Sequence, residues 1–567
     1  MITFRDPKQK ERYEELHKQE EEELVRVLSA RYGVPSATLS SATVNTDALK
    51  LVAEAEARKA GIAPFALLGK KVKVATLSPK TNEVKSILND LSRRGYEPDI
   101  VMVSHDSIEQ AWSLYPEISR AEETEAGVFD ISGSQLESMS SDIAKISDIT
   151  ATIDSITEGG SRNKVTRILE ALLGGAIAID ASDVHFEPEE SGARVRIRVD
   201  GVLVDTASLN ADVYSFILSR VKLLSGLKLN VTKNSQDGRF SIRLHDRNIE
   251  IRASVIPEEH GESIVLRLLD PTSLGLAFED LGIDPALFEV IRREISRPNG
   301  LILTTGPTGS GKTTSLYAFL KHVHRSEVKI ITIENPIEYH LDGITQTQTN
   351  LKEGYTFSQG LKTALRQDPD VIMVGEIRDS DTAQTALNAA FTGHLVFSTL
   401  HTNNAAGVIP RLVNLGVNPK LISSGLNLSL AQRLVRRVCP SCRRPYEPTE
   451  EEKTLMKGII ERFNAKRGTE ETLEGHTLYE ANTDPDNTCP ECGGLGYKGR
   501  IGVYEGILTD GAIERVVLSD MLTEREIRKA AEAQGIPTMA EDGIVNKVLA
   551  GLTSFWELRR VVDLDES

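Results

Sequence analysis

Residues Gly306, Pro307, Thr308, Gly309, Ser310, Gly311, Lys312 and Thr313 run in the order Gly-x-x-x-x-Gly-Lys-Thr, with Thr314 next. That order makes a phosphate loop. The glycines let successive backbone N–H groups converge on phosphate oxygens, Lys312 reaches the β- and γ-phosphates, and the Thr313 hydroxyl is a ligand for Mg²⁺. Such a loop needs a strand before it and a helix after it. Leu301–Thr304 is an apolar run and 313–324 has helical spacing, a context that a chance Gly/Ser turn lacks. Hydrolysis of ATP also needs carboxylates near the metal and the attacking water. Glu334 ends the run Ile330-Ile-Thr-Ile, and Glu376 follows Val371-Ile-Met-Val-Gly. Carboxylates at the C-terminal ends of parallel strands face the crevice where ligands bind. A solvated glutamate at a strand end is common, so the expectation rests on the pair following the loop.

The four cysteines form a second constellation, Cys439/Cys442 and Cys489/Cys492, with none left over. Each Cys-x-x-Cys turn can present two thiolates, and four thiolates complete a closed tetrahedral Zn²⁺ site of the structural kind. A redox pair is the alternative. A DNA-binding finger is disfavoured by surroundings that are not strongly basic. Within residues 443–488 the polar, glycine-containing stretch Lys466–Glu471 is expected to build little core of its own, so the ion would pin the segment.

These groups need a large scaffold, and 567 residues at roughly 150 per domain give about four domains. The chain is 40% hydrophobic and 26% charged, with a net charge of −17 that argues against nucleic acid as its main ligand. No secretory leader is read at the N-terminus. The longest apolar stretch, Ala171–Ile179, falls short of the ~18–20 residues of a membrane span. No transmembrane segment and a cytoplasmic location are expected.

The sequence divides into a charged helical leader at 1–30, an α/β domain at 31–118 and a flexible acidic linker at 119–154. A second N-terminal domain follows at 155–290, with the motor core at 291–430. The cysteine module occupies 431–507 and a mainly helical region 508–567. Strict alternation in Arg194-Val-Arg-Ile-Arg-Val, Arg239-Phe-Ser-Ile-Arg-Leu, Asn248-Ile-Glu-Ile-Arg-Ala and Ser263-Ile-Val-Leu-Arg-Leu predicts a sheet with one solvated, arginine-bearing face. From Gly300 onward, apolar strands alternate with helices, which predicts a largely parallel α/β core.

Residues 150–567 resemble the type II secretion and type IV pilus assembly ATPases. The resemblance is carried by Ala181-Ser-Asp-Val-His-Phe-Glu-Pro, Gln236-Asp-Gly-Arg, the phosphate loop, Ile331–Tyr339, Arg366–Asp379 and Gly393–Asn403. It implies a RecA-like P-loop motor core preceded by a smaller α+β (PAS-like) domain, an N-terminal α/β partner-docking domain and a zinc-binding tetracysteine module. It makes Glu334 and Glu376 the catalytic and metal-supporting carboxylates, their division of roles left open. His394 and His401 bracket the segment that links the γ-phosphate to the subunit interface, with a hydrogen-bonding role implied for His401. Arg252 and Arg267 fall at the positions that act on the nucleotide from the smaller domain, although a solvated strand face is the ordinary reading of such residues. Arg239, Arg366 and Arg378 are weaker interface candidates. Where the family has Glu-Asp-Pro, this chain has Asn335, which keeps the shape and drops a charge.

The resemblance further implies a homohexamer that couples ATP hydrolysis to building a pilus or a pseudopilus. Its partners are an inner-membrane platform protein and an associated cytoplasmic assembly protein, so the chain is expected to lie peripheral to the inner membrane face. ATP, Mg²⁺ and Zn²⁺ are its expected cofactors. A nucleic-acid translocase or DNA-uptake motor on a related core, and a nucleotide-switched scaffold without turnover, are the rival readings. The Arg-Leu-Gly-type repeat with which some members bind a cyclic dinucleotide is not found, and that ligand is not expected.

Overall fold

The computed structural model describes residues 21–39, 44–49, 51–52, 54–68, 70–113, 115, 128–130, 143, 145–158, 164–243, 248–270, 277–484 and 486–565. The leader read at 1–30 lies outside the described residues up to 20, and 21–32 is helical. The described residues fall into two units, the first ending by 115 and the second beginning at 128.

In the first unit, strands β1 (Ile62–Leu68), β2 (Lys71–Thr76) and β3 (Glu97–Met102) form a sheet of that order, with β2 and β3 parallel. Along β2 the alternation turns Val72 and Val74 inward and leaves Lys71 and Lys73 exposed. Helix Asn82–Arg93 makes the crossover between β2 and β3, and the Thr81 hydroxyl caps it by accepting from the Val84 N–H.

The second unit begins with a sheet of order β4-β8-β9-β10-β5-β6-β7. Its strands are β4 (Val128–Asp130), β5 (Asp183–Glu189), β6 (Gly192–Val199), β7 (Val202–Asn210), β8 (Gln236–Arg243), β9 (Asn248–Glu258) and β10 (Gly261–Leu269). Its inward residues, among them Val195, Ile197, Ile251 and Leu266, pack against helices Ile146–Glu158, Lys164–Ala178 and Ala211–Leu224. The arginines of the alternating strands take the opposite face. The linker expected through 154 ends earlier: Ile149 and Ile153 are buried in this core, on a helix that already starts at Ile146.

The motor sheet has the order β13-β12-β14-β15-β11-β16-β19. Its members are β11 (Gly300–Thr305), β12 (Ile330–Glu334), β13 (Thr345–Gln348), β14 (Val371–Val374), β15 (Leu395–Leu400), β16 (Leu426–Val438) and, after β17 (Arg444–Tyr446) and β18 (Leu478–Glu480), β19 (Tyr497–Leu508). All pairings are parallel except β16 with β19. Two expected boundaries move. Helix Pro285–Ile295 buries Leu287, Ile291 and Ile295 with the strands of the motor core, so the cut at 290/291 divides a core helix. The cysteine module is an insertion between two paired strands of the motor sheet, since Leu428 pairs with Leu508 and Val438 with Tyr497. The stretch 466–471 is half-buried to exposed, but the helix leading into it builds core. Helix Glu450–Arg467 places Met456, Ile459, Ile460 and Phe463 in the main hydrophobic cluster.

Candidate functional site

Strand β11 lies between β15 and β16, and its C-terminal end runs directly into the phosphate loop. Gly306 has φ +144°, and a Cβ there would come within 2.6 Å of the Gln432 carbonyl, so no other residue fits. Gly311, at φ +86°, opens helix Lys312–Val323 without a side-chain cap, which leaves the first N–H groups of the helix for an anion. Lys312 Nζ donates to the Gly306 and Pro307 carbonyls at 2.9 Å each, folded onto its own loop. Burial pushes its ammonium below the ordinary lysine range, the nearby Arg433 adds to this, and Glu376 opposes it.

The cleft beside the loop has a volume of about 440 Å³. Thr308, Gly309, Gly311 and Lys312 to Thr314 line it from the loop. Glu334, Asn335, Glu338, Glu376 and His401 line it from the strand ends, and Arg267 from the small domain. The two carboxylates expected from the sequence sit in different surroundings. Glu334 is 3% exposed and accepts hydrogen bonds from the Thr332 hydroxyl at 2.6 Å, the Gln346 amide at 3.0 Å and the Tyr317 hydroxyl. Burial first, and then the Glu334 charge, raise the Tyr317 phenol well above its usual range, so it stays a donor. Glu376 is joined by Arg378 Nε at 2.6 Å and His401 Nε2 at 3.5 Å, both on one oxygen. His394 stands at the N-terminal edge of β15, its Nδ1 3.1 Å from the Ala389 carbonyl, and does not line the cleft.

The arginines separate as well. Arg252 sends Nη1 to Glu338 at 3.0 Å and Nη2 to the Ile337 carbonyl at 2.6 Å, which clasps the loop after β12. Arg267 lines the cleft and is held through Nε by Asp183 at 3.0 Å. Arg378 is largely exposed apart from its bond to Glu376. Arg366 bonds within its own helical turn, to the Lys362 carbonyl and the Thr363 hydroxyl. Arg239 is exposed. Two contributors carried no sequence signal. Gln432 Nε2 donates to the Ser310 carbonyl at 2.6 Å, and the Arg433 guanidinium lies against Gly306. Both reach the loop from β16, more than a hundred residues away in sequence. The buried Ser310 hydroxyl and the side-chain amide oxygen of Gln432 have no protein partner, which suits a loop shaped for phosphate oxygens.

At the base of β16 and β19, the Cys439, Cys442, Cys489 and Cys492 sulfurs all lie within 4.8 Å of one another. Cys439 and Cys489 are 3.8 Å apart, and Cys442 and Cys492 3.6 Å. Zn–S bonds of about 2.3 Å in a tetrahedron need sulfurs about 3.8 Å apart, so the set fits one zinc ion. The Gly496 N–H donates to the Cys492 sulfur at 3.3 Å, as outer partners of thiolate ligands do.

A phosphate loop on a mainly parallel sheet, with carboxylates at the neighbouring strand ends, defines a P-loop ATPase. The family described as type II/IV secretion system protein matches residues 158–560, and the MshEN domain matches 32–122. The chain belongs to that type II/IV secretion ATPase family, as the resemblance implied. Over 400 residues, 70% of this chain and 75% of the relative, it is 44% identical to the type II secretion system ATPase E of Vibrio cholerae. It is 41% identical to the type II secretion system protein E of Pseudomonas aeruginosa, over 74% of this chain and 80% of that one. With the type IV pilus assembly ATPase PilB of Myxococcus xanthus the identity is 36%, over 95% of this chain and 91% of that one. Among the described residues no helix is long and apolar enough to cross a membrane.

Proposed function

We propose that this ATPase works as a homohexamer at the cytoplasmic face of the inner membrane and drives assembly of a type IV pilus or a type II secretion pseudopilus. It would act beneath a platform protein and with a cytoplasmic assembly protein. The observation that supports this most is the single cleft that gathers the phosphate loop, Glu376, His401 and an arginine from the small domain. A phosphate site on one domain and arginines on another make the opening and closing of that cleft the mechanical step. The pilus assembly relative, aligned over 95% of the chain, favours the extension direction.

In this reading Gly306 to Thr314 hold the phosphates of ATP, Lys312 leaves its two carbonyls for them, and the Thr313 hydroxyl ligates Mg²⁺. The metal supplies charge neutralisation on the transferring phosphoryl group. Glu376, oriented by Arg378 and His401, polarises the attacking water, with Glu334 and Glu338 as the other carboxylates of the cleft. Arg267 stabilises the charge that develops on the γ-phosphate, and Arg252 ties the small domain to the loop carrying Glu338. The four cysteines hold a structural Zn²⁺. Lys312→Ala should abolish ATP turnover while the melting temperature stays within a few degrees of the parent. Turnover at the parent rate would overturn the assignment of the site.

A further inference from the structure

A row of charge crosses the sheet of the small domain. Arg239 pairs in register with Arg252, Arg252 with Arg267, Arg267 with Asp183, and Asp183 with Arg198. Residues directly opposite one another on antiparallel strands share a face, so four arginines and one carboxylate stand side by side. Like charges placed this way repel. Arg252 is relieved by Glu250 and Glu338. For Arg267 and Arg198 the relief comes from Asp183, with Oδ1 3.0 Å from Arg267 Nε and Oδ2 3.3 Å from Arg198 Nε.

Asp183 is buried at 4% exposure, and the Ser182 hydroxyl donates to its Oδ2 at 2.8 Å. It is a fixed group and not a mobile counter-charge. Arg267 is its opposite, with a side chain 53% exposed that reaches into the cleft. The bond between them uses Nε. A guanidinium held at Nε keeps Nη1 and Nη2, with four N–H donors in a plane, for an anion. Arg252 contrasts with it, since both of its terminal nitrogens are already engaged by the protein.

We propose that Asp183 is the positioning residue for Arg267: it fixes the plane of the guanidinium through Nε so that the terminal nitrogens meet the γ-phosphate, while Arg198 keeps the carboxylate neutralised as charge shifts toward the nucleotide. This rests on the action of Arg267 on the nucleotide proposed above. A catalytic group displaced by about 1 Å costs up to about 100-fold in rate. Asp183→Asn keeps the shape and loses the charge.

The test is steady-state ATP turnover of the full chain for Asp183→Asn, Arg267→Ala, Arg267→Lys and the Asp183→Asn/Arg267→Ala double variant. Asp183→Asn should lower kcat by about 10–100-fold with KM changed less than about threefold, and the double variant should be no slower than Arg267→Ala alone. Arg267→Lys should fall as far as Arg267→Ala, because a single ammonium cannot both pair with Asp183 and present a fork. This arm stands even if Asp183→Asn does not fold. Parental kcat in Asp183→Asn beside a slow Arg267→Ala overturns the proposal and leaves the role of Arg267 intact. So does a full additional loss in the double variant, or parental kcat in Arg267→Lys beside a slow Arg267→Ala. Parental kcat in Arg267→Ala removes the underlying reading as well.

Discussion

Glu334 ends its strand as a catalytic carboxylate would, yet the fold uses it as a hub for hydrogen bonds, and the two roles predict opposite behaviour on substitution. Its acceptors meet donors from Thr332, Gln346 and Tyr317, on three separate stretches of the core. A hydrogen bond to a buried charge contributes about 1.5–3 kcal/mol, so Tyr317→Phe, which keeps the ring and removes one donor, should cost about that much. Glu334→Gln sets an amide N–H₂ among donors. Thr332 and Gln346 share one carboxylate oxygen, so the new amide keeps its oxygen toward them and turns its N–H₂ to Tyr317, whose hydroxyl must rotate to accept; the hydrogen bonds then lose their charge. A loss of about 2–4 kcal/mol is expected, or about 4–16 °C in melting temperature at the 2–4 °C per kcal/mol typical of large domains. The assay is a circular dichroism melt of the full chain alongside ATP turnover at a temperature where all variants remain folded. The structure predicts a lowered melting temperature for both variants and a kcat for Tyr317→Phe within about tenfold of the parent. If Glu334→Gln melted with the parent while its turnover fell by more than about 100-fold, Glu334 would be acting on the nucleotide and not as a structural hub.

The cysteine cluster should bring one zinc ion per chain by elemental analysis, and Cys489→Ser should expose the loops around 439–443 and 487–496 to protease before the motor sheet yields. Helix Glu450–Arg467 should stay protected, because Met456, Ile459 and Phe463 anchor it independently of the ion. Metal-free protein with parental protease resistance would refute the assignment. Glu557 makes a pH prediction. Burial works to raise its carboxyl, but hydrogen bonds from Arg560 and Arg436 outweigh that and hold it below the ordinary glutamate range. A carboxyl depressed on folding adds stability that is fully present above its unfolded pKa and drains away as pH falls through the folded value. Glu557→Gln should therefore lower the melting temperature at pH 7 and flatten its decline below about pH 4.5, near the unfolded glutamate value. An unchanged acid limb would show that the pair contributes nothing.

How much of the site was legible follows from how local each part is. The phosphate loop is eight contiguous residues whose geometry is set by its own glycines, and the alternating strands declare both their faces, so these could be read directly from the sequence. The hydrogen bonding around Glu334 could not, because Tyr317 and Gln346 arrive from a helix and a strand whose packing no local pattern encodes. The same holds for Arg433 and Gln432, and for the insertion of the cysteine module, since β16 and β19 find each other across almost sixty residues.

His394 and His401 show the limit most sharply. They bracket one apolar run, and by spacing alone either is as good a candidate as the other. The seven residue steps between them, at about 3.3 Å each, put their backbones about 23 Å apart, at opposite edges of the sheet. Because β11, β14 and β15 all run parallel, their C-terminal ends share one edge, and that edge carries the phosphate loop, Glu376 and His401. The polarity of the sheet therefore selects His401 and gives His394 a structural bond to Ala389 at the far edge. Strand direction relative to β11 is a property of the assembled sheet and not of any segment in it, so the choice between two similar histidines is made only on folding.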